Sequence, residues 1–264
     1  MCWLTDWLFG SKIKAIDVTG KKLCMPLFYP KPNGTVDATW NYLSKSPADR
    51  EWCRQKIKAT AVSGEVPAIA FLLTPNNEGG NLFLQVSPGA VNVANLEAAA
   101  ERMKELCKDG IAVFVVLYTD DKAPRWWEIS AHIPGWIIVW DKIKPYVTGC
   151  ILSIESTEKG NYLKVQDGIA KMQAAMPGAQ LYGTHQQWHT NWYSAGDTPA
   201  NATVLLCETS NKPSDNPGMN LLKANVNGMI AAAGAGRLVI HEYFFYPTVE
   251  QREWLRGQGL KGVG

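Results

Sequence analysis

The chain has 264 residues, of which 46% are hydrophobic and 19% charged, and its formal net charge is only +2. These values are typical of a globular protein and exclude a disordered chain. Lysine and arginine are interspersed with aspartate and glutamate, so the charge balance does not support a nucleic-acid partner or an anionic membrane surface. Eleven tryptophans are many for this length, and indole rings line clefts as well as fill cores.

The cysteine pattern indicates a reducing compartment. No cysteines are paired at the spacing of metal ligands, and most lie in predicted helices or strands, so we expect buried, free thiols. The first ten residues carry Asp6 where a signal peptide would be apolar, and no segment is long enough to span a membrane. The sequence therefore predicts synthesis in a reducing cytoplasm without a signal peptide. The cysteines are Cys2, Cys24, Cys53, Cys107, Cys150 and Cys207.

Apolar runs typical of strands alternate along the chain with segments of helical periodicity. Residues 3–10 are predicted to form a short amphipathic helix, which would cover one end of the core or contact an assembly partner. The predicted strands are 23–29, 66–74, 111–119, 148–155, 179–184, 202–207, 237–245 and 260–263. The predicted helices are 46–62, 93–108, 134–146, 161–176, 218–233 and 249–256.

This alternation predicts an α/β protein, a single (β/α)8 TIM barrel domain over residues 1–264. No helix follows the last predicted strand, and residues 3–9 are a candidate to take its place. A doubly wound open sheet is the alternative, but the glycine-rich fingerprint of that fold is absent after the first strand. The loop after the first strand carries Trp40 and Tyr42, which we expect to be exposed.

Three predicted strands lead directly into a glutamate, namely Glu155, Glu208 and Glu242. A charge at the end of an apolar strand costs desolvation energy unless it is paired or used. In a barrel these strand ends share one rim with Asp120 and His185. Two carboxylates that converge on one bond are what glycoside hydrolysis needs. A salt bridge to a loop cation is the alternative for each glutamate taken alone.

The positions of Glu155 after the fourth strand and Glu242 after the seventh resemble the clan-A retaining glycoside hydrolases. That resemblance implies a (β/α)8 barrel in which Glu155 is the acid/base and Glu242 the nucleophile. Ile154 stands where the family usually has asparagine, and the family's aromatic residue after the eighth strand has no clear counterpart. Glu208 is an alternative for either catalytic partner, or it orients one of them by hydrogen bonding.

The loop after the fifth strand concentrates aromatic rings, imidazoles and amides. Sugars offer flat C–H faces and radial hydroxyls, which such side chains suit. Trp126 extends this surface from the third strand. An aromatic loop that only caps the barrel is the alternative, as is a solvated loop position for Asp120. The predicted substrate-binding residues are Trp188, Trp192, Tyr193, His185, Trp126 and Asp120.

The favoured function is therefore glycoside hydrolysis of a glycan or polysaccharide, with no cofactor and no metal. The first alternative is a non-catalytic barrel that binds carbohydrate within a cell-surface or phage receptor-binding assembly. The second is a barrel enzyme of another class, such as a lyase or a metal-dependent hydrolase, in which His185, His189 and a carboxylate converge. The spacing of His185 and His189 suits a metal ion, but this segment lacks the adjacent glutamate of a zinc hydrolase.

Overall fold

The computed structural model describes residues 13–73, 85–87, 89–119, 128–154, 162–187, 198–209, 218–243 and 247–264. Within them, eight parallel strands close into a barrel, and two antiparallel hairpins lie outside it. In chain order the barrel strands are β1 (Lys22–Cys24), β4 (Glu65–Leu72), β7 (Ala112–Tyr118), β8 (Gly149–Ser153), β9 (Leu181–Gln187), β10 (Val204–Glu208), β11 (Leu238–Glu242) and β12 (Gly262–Val263). The hairpins are β2 (Phe28–Pro30) with β3 (Val36–Ala38), and β5 (Gln85–Ser87) with β6 (Ala90–Val91).

The barrel closes between its first and last strands. Leu23 of β1 pairs with Val66 of β4 on one side and with Gly262 of β12 on the other, and both pairings are parallel. A closed sheet has no unpaired edge, and its strands present one row of side chains inward and one outward. The predicted (β/α)8 barrel is therefore confirmed.

Six described α-helices connect the barrel strands, and several begin at polar caps. The Ser46 side chain accepts a hydrogen bond from the Asp49 backbone, and Thr248 forms a reciprocal capping box with Gln251. None of the helices in the described ranges has the length and apolar character needed to cross a membrane. The helices are α1 (Pro47–Thr60), α2 (Val93–Lys108), α3 (Ile129–Ile143), α4 (Tyr162–Ala175), α5 (Met219–Ala233) and α6 (Val249–Arg256).

Apolar side chains fill the barrel interior. Strand β7 is buried along its whole length, as expected for a parallel strand covered on both faces. Phe114 points inward and occupies space that Gly149 leaves open, since a Cβ on Gly149 would lie 2.5 Å from its ring. The interior cluster consists of Val18, Leu23, Met25, Ala68, Ala70, Leu72, Ala112, Phe114, Val116, Ile151, Val204, Leu206 and Val239.

The segment before β1 closes the end of the barrel at which the strands begin. Ala15 donates its N–H to the Pro145 carbonyl, and Val18 donates to Oε1 of Gln180 at 2.9 Å. Lys261 Nζ donates to the Val18 carbonyl at 3.2 Å, and the Val18 side chain is only 1% exposed. Residues 15–18 therefore fill this end of the described barrel, and the carboxyl ends of the strands lie at the opposite end.

The first predicted strand differs from the structure. The barrel strand β1 ends at Cys24, and the remainder of the apolar run enters the β2–β3 hairpin instead of the barrel. Tyr42, expected to be exposed, is fully buried, because its ring stacks on Phe71 and its hydroxyl accepts a hydrogen bond from Arg54 at 3.0 Å. Tyr42 was predicted to be exposed because the residues around it in this loop are polar.

Two tryptophans of α3 belong to the core. Trp136 and Trp140 are buried, and their indole N–H groups donate to the Tyr118 hydroxyl and to the Pro177 carbonyl. Five of the six cysteines are free and buried, as predicted, while Cys2 lies outside the described residues. Residues 3–9, the candidate substitute for a last helix, also lie outside them.

Candidate active site

The carboxyl ends of β9, β10 and β11 form one level of the open rim. Gln187, Glu208 and Glu242 are Cα partners across these three adjacent strands. Adjacent strands lie about 4.8 Å apart, so the two glutamates start from neighbouring backbone positions. Closure of the barrel thus places two of the three predicted glutamates side by side.

A β-bulge interrupts β11 immediately before Glu242. Cys207 pairs with Ile240, whereas the next residue of β10, Glu208, pairs with Glu242. The extra residue on β11 is therefore His241. Bulges of this kind redirect side chains and are common beside active sites.

Glu208 is only 5% exposed. It follows Val204 and Leu206 on the inward face of β10, and both of these side chains belong to the interior cluster. A carboxylate at such a position is costly unless other groups stabilise its charge or it retains its proton. Glu208 is therefore a buried ionisable group at the open end of the barrel, which is the setting expected of a functional carboxyl.

Two imidazoles and an indole pack together at the same end of the barrel. The ring centroids of His185 and His241 are 5.0 Å apart, and both rings meet the Trp40 ring edge-on, at 5.8 Å and 5.4 Å. His185 and His241 are 0% and 3% exposed, whereas Trp40 is half-buried. We refer to Trp40, His185 and His241 as the aromatic floor.

The His241 imidazole adds no charge to the aromatic floor at neutral pH. Burial lowers the pKa of His241 well below its usual value, and the neighbouring His185 lowers it further. A neutral imidazole has one N–H donor and one nitrogen acceptor. This part of the floor therefore offers hydrogen-bonding capacity without a fixed charge.

A second buried cluster lies at the end of β7 and has a structural explanation. The Trp136 indole donates to the Tyr118 hydroxyl at 2.6 Å, and His132 packs against the Tyr118 ring. Burial raises the pKa of Tyr118 and lowers that of His132. These groups join α3 to the barrel, and we assign them no part in the site.

The predicted site residues divide into three groups. His185 and Glu208 lie at the open rim, as expected. Glu242 ends β11 there and is described through its backbone. The predicted residues outside the described residues are Glu155, Asp120, Trp126, Trp188, Trp192 and Tyr193.

Two members of the aromatic floor were missed in the sequence. His241 directly precedes a strand-end glutamate, but an imidazole adjacent to Glu242 along an ideal strand would face away from the site, and only the bulge changes this. Trp40 lies in the loop after β1, and no local pattern connects it with strands β9 and β11. Strand β9 also continues three residues beyond the predicted 184, because His185, Gln186 and Gln187 keep the ladder with β10.

Within the described ranges, no three histidine, cysteine or acidic side chains are grouped so as to hold a metal ion. His185 lies there, but His189 does not fall within those ranges. The described part of the site therefore offers carboxyl, imidazole and indole groups, which suit acid–base chemistry and the binding of a ligand with flat apolar faces.

Comparison with solved structures identifies similar folds at low sequence identity. A glycoside hydrolase family 5 enzyme from Prevotella bryantii matches with a TM-score of 0.57 and 11% identity, over 95% of this chain and 90% of that one. A broad-specificity endoglucanase from an uncultured bacterium gives 0.56 and 11%, over 95% and 88%. A β-glucosidase from Exiguobacterium marinum gives 0.54 and 10%, over 92% and 86%.

No protein-family model and no curated protein matches this chain by sequence. The likeness to these structures therefore concerns the arrangement of strands and helices, since the identities are too low to carry individual residues across. At that level the expected barrel is confirmed, because solved glycoside hydrolases share its fold.

Proposed function

We propose that this protein is a glycoside hydrolase that cleaves a glycan or polysaccharide with a pair of glutamates. The observation that carries the proposal is that Glu242 ends the seventh strand, beside Glu208, in a barrel whose structural neighbours are glycoside hydrolases. Fold similarity alone would leave the chemistry open. Adjacent carboxyl-bearing positions at the catalytic end of the barrel support glycoside hydrolysis as the specific reaction.

The proposed roles are those that the resemblance to clan-A glycoside hydrolases implies for glutamates after the fourth and seventh strands. Strand β8 is the fourth barrel strand, and Glu155 comes two residues after its end at Ser153. Strand β11 is the seventh and ends at Glu242. In our proposal Glu155 protonates the leaving oxygen and later activates water, while Glu242 attacks the anomeric carbon and forms a glycosyl-enzyme intermediate.

Glu208 has a supporting part in this proposal. Its Cα is paired with that of Glu242, and its side chain is buried on the inward face of β10. Like charges at close range disfavour a second ionisation. We therefore expect Glu155 to keep its proton near neutral pH while Glu242 is ionised. That division lets one site provide a protonated acid and an ionised nucleophile together.

The test replaces each glutamate by glutamine or alanine and measures turnover. A panel of nitrophenyl glycosides and of glucan, xylan, mannan and chitin oligosaccharides first identifies a substrate. Glu242→Ala should abolish its turnover, and added azide should restore part of it by occupying the vacated space. Glu155→Gln should slow oligosaccharides far more than activated aryl glycosides, whose leaving groups need little protonation.

Glu253→Gln is the matched control, because Glu253 is exposed on α6 and the change removes the same charge away from the rim. It should turn over substrate like the unmodified protein. Full activity in both Glu155→Gln and Glu242→Ala would contradict the proposal. Binding of an oligosaccharide without any turnover would instead support the alternative, a barrel that binds carbohydrate and does not cut it.

A further inference from the structure

Trp40 occupies the base of the barrel mouth although it comes from the loop after the first strand. It packs on the apolar interior cluster, and its ring contacts those of His185 and His241, which also contact each other. Those two residues belong to the fifth and seventh barrel strands, so Trp40 reaches across the end of the barrel. It covers the apolar interior at the carboxyl ends of the strands.

The backbone holds Trp40 firmly in this position. Its carbonyl accepts a hydrogen bond from the Leu72 N–H at 2.9 Å, at the end of β4. The preceding residue, Thr39, donates its N–H to the Leu27 carbonyl at 2.8 Å and is itself only 1% exposed. With two edge-on imidazoles against the ring, the indole is fixed before any ligand arrives, which lowers the entropic cost of binding.

Exposure distinguishes Trp40 from its neighbours in the aromatic floor. The two histidines are almost completely buried, while Trp40 keeps part of its surface accessible. An indole that keeps part of its surface accessible can present a flat apolar platform to a ligand. Such platforms suit ligands that combine a C–H face with hydroxyl groups around the edge.

His241 supplies an independent indication of a ligand. Both of its ring nitrogens are buried, and neither has a hydrogen-bond partner in the part of the chain that the structure describes. Buried polar groups in native proteins are nearly always hydrogen-bonded to protein, water or ligand. A hydroxyl group can donate to one imidazole nitrogen or accept from the other, whichever the tautomer provides.

We propose that the Trp40 ring is the stacking platform of a sugar subsite at the base of the mouth, and that His241 hydrogen-bonds a hydroxyl of the bound sugar. The assignment of the ligand as a carbohydrate rests on the proposed function. The place of the subsite rests on the packing of Trp40 and on the buried nitrogens of His241.

The first experiment observes the Trp40 indole directly by NMR. The indole N–H signal of Trp40 is assigned as the one that disappears in Trp40→Phe, and that of Trp254 by Trp254→Phe. Cellotetraose, xylotetraose, mannotetraose and chitotetraose are then titrated in turn into the isotope-labelled protein. The sugar that binds should shift the Trp40 signal and leave the signal of Trp254, a half-buried residue on α6, unchanged.

The second experiment measures the affinity for that sugar by calorimetry. Trp40→Ala should weaken binding about tenfold or more, the scale measured for stacking of a base on an aromatic ring. His241→Phe keeps a ring of similar shape in the floor and should weaken binding by about tenfold through loss of its hydrogen bond. Trp254→Ala is the control and should bind like the unmodified protein. Circular dichroism of each variant checks that it is folded.

The outcomes separate this inference from the proposed function. Binding without turnover that is lost in Trp40→Ala would support the subsite and overturn the hydrolase. Turnover that survives in Trp40→Ala, with no shift of the Trp40 signal, would overturn the subsite and leave the hydrolase standing. If Trp40→Ala does not fold, the shift of the Trp40 signal in the unmodified protein decides whether the subsite exists. If none of the four sugars binds or is cleaved, both proposals are wrong.

Discussion

His241 illustrates how a single residue can link the strand ladder to the chemistry of the rim. The bulge in β11 makes it the extra residue between two paired positions, and its ring then packs against Trp40 and His185. Burial lowers the pKa of this imidazole well below its ordinary value. It therefore stays neutral through the pH range in which a free histidine becomes charged.

This depressed pKa predicts a pH dependence of stability. In the unfolded chain His241 takes up a proton as the pH falls below about 6.5, whereas the folded protein resists that protonation. Its contribution to stability is therefore fully present above about pH 6.5 and is lost as the pH falls towards the folded pKa. Urea unfolding of the unmodified protein and of His241→Phe, at pH 7 and at pH 5, should show a smaller acid loss in the variant.

The difference in slope between the two proteins should approach about 1.4 kcal/mol per pH unit, the value for one proton. Burial also lowers the pKa of His132, so part of the acid loss should remain in His241→Phe. His132→Phe is therefore the companion variant. Identical pH slopes for His241→Phe and the unmodified protein would mean that the imidazole is not held neutral by burial.

Among the elements, β9 and β10 depend on an unusually close approach. A Cβ on Gly183 would collide with the backbone carbonyl of Val204 on the neighbouring strand. Backbone atoms in the middle of a closed barrel cannot move aside as the end of a flexible side chain can. Glycine is therefore required here for packing of the sheet, and the position lies two residues before His185 on the same strand.

Gly183→Ala should destabilise the protein by more than about 3 kcal/mol or prevent folding, since overpacking against backbone is among the most costly substitutions. Gly236→Ala is the control, because nothing lies within 4 Å of a Cβ built at that position. It should change the free energy of unfolding by less than about 0.5 kcal/mol. Urea unfolding midpoints measure both, and equal stability of the two variants would contradict the packing argument.

The element boundaries show what local patterns can and cannot predict. Helices α1 and α2 were predicted within about two residues of their ends because their caps and periodicity are local features. Strand β9 was predicted too short, because the apolar run stops at Thr184 while the ladder continues through polar residues. At the rim of a barrel, polar residues extend a strand by pairing with the neighbouring strand. A short stretch of sequence does not show which residues that neighbouring strand provides.

At the scale of the whole molecule, the barrel was predictable because apolar strand-like runs recur eight times along the chain, and a described helix follows six of them. The placement of Glu208 and Glu242 at one rim followed from that topology, whereas their alignment also requires the bulge in β11. The aromatic floor was not predictable, because it combines a loop after the first strand, the fifth strand and a bulge in the seventh. Such a cluster exists only after the barrel closes, and one sequence contains no local signal for a bulge or for Trp40 crossing the mouth.

In our proposal, glutamates at the ends of the fourth and seventh strands cleave a glycosidic bond through a glycosyl-enzyme intermediate. The measurement that tests it most directly is proton NMR of the anomeric signal during the first turnovers of the substrate found in the panel. Two successive displacements predict that the product first appears with the anomeric configuration of the substrate and only later equilibrates. A product that first appears with the opposite configuration would contradict the account.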